Sequence, residues 1–211
     1  MSLFIELKRK VIDNSCVYKD SINKNFDRMI SDWNQMLECC GLPCYRYLPK
    51  ELSKDTLLPS VQYSSDDLDY LKFIAALLSI DPSWTPDRDF INKQIPFNLK
   101  KEIIAENKSH LICHHNCFGQ YFPISFQDVD LPNDFLSTMG SSINLRDELV
   151  EIAEKLDLSL GEYTPDLDLL YEQRLPELQE DILGFEKMLL LDLYNISLGS
   201  IKHNLIINFS G

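Results

Sequence analysis

Apolar residues recur at helical spacing over four long stretches and one shorter one, a pattern that predicts a mainly helical protein. From Asp20 to Cys40, the residues Phe26, Met29, Ile30, Trp33, Met36, Leu37 and Cys40 fall on one face. Asp20 or Ser21 suits the start, and Gly41 with Pro43 suits the stop. In the second stretch, Ser64 and Asp67 form a capping box, and Asp66 and Asp69 add acid where the helix dipole favours it. Leu68, Leu71, Ile74, Ala75 and Leu78 make its inward stripe, and Asp81-Pro82 ends it. A shorter helix is predicted from Asn98 to Asn107. The next follows Gly140-Ser141-Ser142, with Asn144 and Asp147 suited to capping it. Its Leu145, Leu149, Ile152, Ala153 and Leu156 point inward, and Asp147, Glu148, Glu151 and Glu154 point outward. Pro176 suits the first position of a long last helix carried on by Leu178, Ile182, Phe185, Leu189, Leu193 and Ile196. The run MLLL at 188–191 is apolar nearly all round, which places that helix in the core.

The remaining apolar runs are short. Val61–Tyr63 and Leu205–Phe209 read as strands. The stretch HLICHHNCFGQYFPISF, from His110 to Phe126, has two readings. As a helix it brings His110, Cys113, His114 and Cys117 onto one face; as a strand it alternates His110, Ile112 and His114 with Leu111, Cys113 and His115. The break at Asn107-Lys108-Ser109 and the turn residues Asn116 and Gly119 favour a hairpin, with Tyr121–Phe126 as an edge strand because Pro123 cannot donate to a ladder. The fold class expected is therefore α+β: a mainly helical single domain over residues 1–211 with a small antiparallel sheet of about three strands. The Pro-bounded loop near 82–98 is its softest boundary.

HLICHHNCFGQYFPISF followed by GSSINLRDEL resembles a group of uncharacterised bacterial proteins. They share a His-bearing strand, a Gly-x-aromatic-aromatic-Pro segment, and Gly-Ser-Ser opening an acidic, Leu-rich helix. The matching positions are His110, Gly119, Tyr121, Phe122, Pro123, Phe126, Gly140, Ser141, Ser142, Leu145, Glu148 and Leu149. The chain departs from the pattern at His114, His115 and Asn116, where the group is acidic. The resemblance implies a bacterial origin and a shared fold, and carries no activity.

Charge changes this picture more than composition does. The chain holds 33 acids and 20 bases, a net charge of −13. Between Asp128 and Asp192 lie 17 of the acids and four of the bases, and the other 16 acids and 16 bases cancel. Phosphates would be repelled, which argues against nucleic acid as a partner, whereas a basic protein or cations would be attracted. The same acids also serve as solvated outer faces of helices. No run reaches the ~20 apolar residues of a membrane span. MSLFIELKRK does not read as a leader, since its basic cluster follows the apolar run and Glu6 interrupts it. A cytoplasmic location is the default, and six cysteines there read as thiols or ligands rather than disulfides.

The leading functional expectation is a non-enzymatic interaction protein that uses Glu148, Glu151 and Glu154 against a basic partner, for instance an inhibitor or immunity-type antidote covering a basic active site. The alternative is a zinc protein or metal-dependent hydrolase built on Cys113, His115 and Cys117, because thiolate and imidazole are the ligands zinc prefers. A cysteine activated by a nearby histidine, an anion held at Ser141 and Ser142, and divalent ions at Asp87/Asp89, Asp128/Asp130 or Asp166/Asp168 are weaker candidates. No P-loop, G-x-G-x-x-G, H-E-x-x-H, EF-hand or G-x-S-x-G pattern occurs, so no cofactor is expected beyond the zinc alternative.

Overall fold

A computed structural model describes residues 2–13, 16–50, 52–86, 109–126 and 139–211. The strand that organises it is β1 (Ser2–Lys8), where Leu3, Ile5 and Leu7 are buried and alternate with more exposed neighbours at the period of a strand. It pairs on one side with β2 (Ser60–Ser64) and on the other with β5 (Ile206–Ser210), both antiparallel; Ile5 lies opposite Val61 and Phe209. β3 (Phe118–Phe122) pairs antiparallel with β5 and parallel with β4 (Met139–Ser141), giving the order β2-β1-β5-β3-β4. The protein is thus α+β, as expected, but its sheet is larger than expected and mixed rather than wholly antiparallel. The parallel pair arises because β3 and β4 are joined by a crossover and not by a tight turn.

Five helices occur among the described residues. On one face of the sheet lie α2 (Ser65–Ile80), α3 (Ser142–Lys155) and α5 (Gly184–His203), packed with Leu3, Ile5, Tyr121, Ile207 and Phe209 into the main core. α1 (Lys19–Cys39) supplies Trp33 and Leu37 to a second cluster with Tyr45, Phe122, Met139 and Ile206. Strand alternation produces the two clusters, since Ile206 and Ile207 point to opposite faces. α5 is buried nearly all round, from Leu189 to His203, and is the hub against which α2, α3 and α4 (Leu167–Leu178) pack. The capping box at Ser64 and Asp67 forms as expected.

Four local expectations are corrected. Residues 110–117 are neither helix nor hairpin: a single helical turn closes from the Cys113 N–H to the Ser109 carbonyl, and His114 then makes an isolated bridge. Pro176 lies near the end of α4 rather than at the start of the last helix, which begins only at Gly184. A Cβ at Gly184 would stand 2.0 Å from the Leu178 carbonyl oxygen, so the chain folds back on itself there and cannot run straight through. α1 starts after Tyr18 with no side-chain cap, and Asp20 falls in its first turn instead. Asn144 does not cap α3; the Ser141 hydroxyl accepts from the Asn144 N–H. The helix expected at Asn98–Asn107, most of the 82–98 loop, and Asp87, Asp89, Asp128 and Asp130 lie outside the described residues.

Candidate interaction surface

The acidic segment forms the outer surface of α3, α4 and the loop between them. On α3 the buried stripe Leu145, Leu149, Ile152 and Ala153 leaves Asp147, Glu151 and Glu154 exposed on the opposite side. At 1.5 Å per residue these three carboxylates span ~10 Å of helix, about one charge per 5 Å. One strand of B-DNA carries a charge every ~3.4 Å of axis, so the spacing is comparable though sparser. Exposed Asp157, at φ 51°, turns the chain out of α3, and Glu162 follows in the loop. The loop is pinned to the hub: the Thr164 N–H donates to Asn195 Oδ1 at 2.9 Å, and Asn195 Nδ2 donates back to the Thr164 carbonyl. α4 then opens with Asp166, whose carboxylate accepts from the Leu169 N–H at 3.2 Å. Asp168, Glu172 and Glu177 continue the exposed acids along α4, and Glu180 lies just beyond.

The bases of this surface are already engaged. Arg146 pairs with Asp147 at 2.5 Å, Arg174 with Glu177 at 3.3 Å, and Lys187 with Asp181 at 2.6 Å. Lys155 Nζ lies 3.4 Å from the Leu78 carbonyl oxygen. Among the described residues, Glu151, Glu154, Asp157, Glu162, Asp168, Glu172 and Glu180 form no ion pair.

Glu148 does not belong to this set. Its Oε2 accepts from the Ser109 hydroxyl at 2.6 Å and the Leu111 N–H at 3.0 Å, and its Oε1 accepts from the His110 N–H at 2.6 Å. A carboxylate holding three donors at the start of a turn is a cap supplied from another helix. Of the acids expected to meet a partner, Glu151 and Glu154 face solvent and Glu148 faces the fold.

The side chains of His114, His115, Cys113 and Cys117 are at least partly buried in the fold. His114 is fully buried and stacked on Tyr121 at 4.1 Å, and its Nδ1 donates to the His115 carbonyl. Burial, reinforced by the Lys72 ammonium, pushes its pKa down to about 3. His115 stacks on Phe118 at 3.6 Å, and its Nδ1 accepts from the Cys117 N–H at 3.0 Å, so that ring nitrogen is taken. Cys113 and Cys117 are half-buried and form no disulfide. Among the described residues, no group of three or more His, Cys, Asp or Glu could hold a metal ion. Ser141 caps α3, and the Ser142 hydroxyl bonds to that of Ser200 at 2.8 Å, which leaves neither for an anion.

Beneath α4 lies one buried carboxylate. Asp192, on the hub helix, is fully buried, and its Oδ2 accepts from the hydroxyls of Tyr63 and of Tyr171, the latter at 2.7 Å. Its Oδ1 has no partner. Burial pushes its pKa up to about 6, against the two tyrosine hydrogen bonds, and both tyrosines are raised in turn by burial and by the Asp192 charge.

A family model described as "Putative DNA-mimic protein" matches residues 5–209, nearly the whole chain. The chain belongs to this family. No curated protein and no solved structure matches it. Membership overturns the expectation of an inhibitor or immunity-type antidote covering a basic active site, and with it the zinc or hydrolase alternative. It also corrects the exclusion of nucleic acid from the functional picture: the family is described by likeness to DNA, so the repulsion of phosphates by the acidic segment points to imitation. No described helix is long and apolar enough to cross a membrane.

Proposed function

We propose that the chain acts as a DNA mimic: the acidic surface of α3, the following loop and α4 takes the place of a DNA backbone on a DNA-binding protein. The observation that carries the reading is the set of exposed carboxylates that form no ion pair, Glu151, Glu154, Asp157, Glu162, Asp168 and Glu172, on a chain of this family. DNA-binding proteins take most of their affinity from phosphate contacts made by lysine and arginine, and carboxylates at similar spacing satisfy the same donors. The helices fix Glu151, Glu154, Asp168 and Glu172 before binding, so little order is lost there on association. No base edge is copied, so the mimic competes with DNA through backbone contacts and not through sequence.

The test is displacement of a fluorescent duplex from a panel of purified bacterial DNA-binding proteins that wrap, bend or cleave DNA without strong sequence preference. The chain is expected to release duplex from at least one of them, less well as salt rises. The variant E151K/E154K/D168K/E172K should lose this release while keeping its fold. Release by no panel member, or equal release by the variant, would defeat the proposal.

A further inference from the structure

Charge alone does not tell one DNA-binding protein from another. Where α4 folds back into α5, the surface opens into a cleft of about 450 Å³. Its walls are Leu175, Leu178, Ile182, Phe185 and Met188, and Asp181 and Glu186 stand at its edge. The cleft is open to solvent along much of its length, which suits a side chain of a partner better than a small molecule. Phe185 is 52% exposed and Leu175 is 44% exposed. The Phe185 ring is not loose: it meets Tyr63 edge-on at 5.9 Å, and Tyr63 is anchored to buried Asp192. Exposed Glu177 and Glu180 flank the cleft in sequence. Among the described residues no cation pairs with Glu186, which lies near the charges of Asp67 and Asp181. The site is therefore an apolar slot with an acidic rim at one end of the charge array.

We infer that this cleft takes an apolar side chain from a basic amphipathic helix of the DNA-binding protein, and that it determines which such protein the mimic holds. The inference rests on the DNA-mimic reading. A Leu- or Phe-like side chain fills the slot while the lysines or arginines beside it meet Glu180 and Glu186, which form no ion pair among the described residues. The division of labour is physical: the carboxylate array accelerates encounter, whereas a desolvated apolar anchor slows release.

The experiment uses the full chain and two labelled peptides of about 18 residues, five helical turns. One carries Leu along one face and Lys along the other; its control has Ser for every Leu and the same charge. By fluorescence anisotropy at physiological salt, the Leu/Lys peptide is expected to bind about tenfold tighter or more, a difference of ~1.4 kcal/mol or more. Phe185→Ser and Leu175→Ser should each bring it to the level of the control, and Phe185→Leu should restore part of the preference. Both positions are about half exposed, and circular dichroism checks that each variant folds. Equal binding of the two peptides, or a preference that survives both serine variants, overturns the inference. Failure of the wider reading looks different: the wild-type chain would then release duplex from no panel member, whatever the peptides do.

Discussion

Asp192 gives the sharpest quantitative test of this structure. Its folded pKa is about 6 against an ordinary 3.8, because burial disfavours the anion more than Tyr63 and Tyr171 stabilise it. Between those two values the folded chain keeps a proton that the unfolded chain has released. Stability contributed by this group is therefore fully present below about pH 4 and is lost as pH rises through 6. A shift of about two units at ~1.4 kcal/mol each amounts to about 3 kcal/mol. Asp192→Asn removes the titration and keeps the shape; its carbonyl accepts from both tyrosines. The stability of the variant minus that of the wild type should thus rise by about 3 kcal/mol between pH 3.5 and pH 7.

Taking the difference matters because His114 pulls the other way. Its pKa is pushed down from 6.5 to about 3, so its contribution is lost as pH falls below 6.5 and more than offsets that of Asp192 in the wild type. Urea unfolding at fixed pH, with unchanged slope on denaturant, measures both proteins. A difference that stays flat, or that falls with pH, would refute the reasoning. Tyr171→Phe supplies a check on mechanism: removing one of the two donors should move the titration further upward.

Three further outcomes follow from particular contacts. Glu148→Gln should cost about 2 kcal/mol in urea unfolding, because an amide nitrogen would face an N–H or O–H donor, while Glu151→Gln should be near neutral; equal effects would mean that Glu148 does not hold the 109–113 turn. Gly184→Ala should cost about 2 kcal/mol or more through its clash with the Leu178 carbonyl, whereas Gly161→Ala, with nothing within 4 Å, should be neutral or slightly stabilising in the same thermal melt. Glu154→Gln together with Asp157→Asn should raise stability by about 0.5 kcal/mol each while weakening displacement of duplex DNA; an unchanged melt would remove the dipole argument made below.

How far the sequence could be read depended on the range of the interactions involved. The stripes of α2 and α3 are legible because their inward residues repeat within one helix; of the α1 stripe, Phe26, Trp33 and Leu37 are buried, but Met36 and Cys40 are exposed. The capping box at Ser64 was legible because both partners lie three residues apart. β1 is absent from the strands expected from the sequence, although Leu3, Ile5 and Leu7 alternate as a strand requires. The turn at 109–113 was illegible for a physical reason: the carboxylate that holds it comes from Glu148, more than 35 residues away. The break between α4 and α5 depends on a close backbone approach that only glycine permits, and it leaves no periodic signal. The acidic segment was found by counting, but counting could not separate Glu148, spent inside the fold, from Asp168 and Glu172, free on α4. Those two were open to a charge-run reading, yet Asp168 was weighed only as half of a metal triplet.

The placement of the acids argues that stability did not select all of them. A helix N-terminus favours negative charge and a C-terminus disfavours it. α4 obeys this rule, with Asp166 as its cap and Asp168 in its first turn. α3 breaks it, since Glu154 stands in its last turn and Asp157 just beyond, with Lys155 the only base there. The two helices follow one another in the chain, so the unfavourable end of α3 and the favourable start of α4 bracket one loop, and Glu162 lies between them. A surface that stays negative across that junction needs acids at both ends, whatever the dipole of either helix prefers. A surface evolved only for solubility could have put its acids at N-termini and lysines at C-termini at no cost. That this one keeps acids on both sides of the junction accords with the proposed imitation of a phosphate backbone.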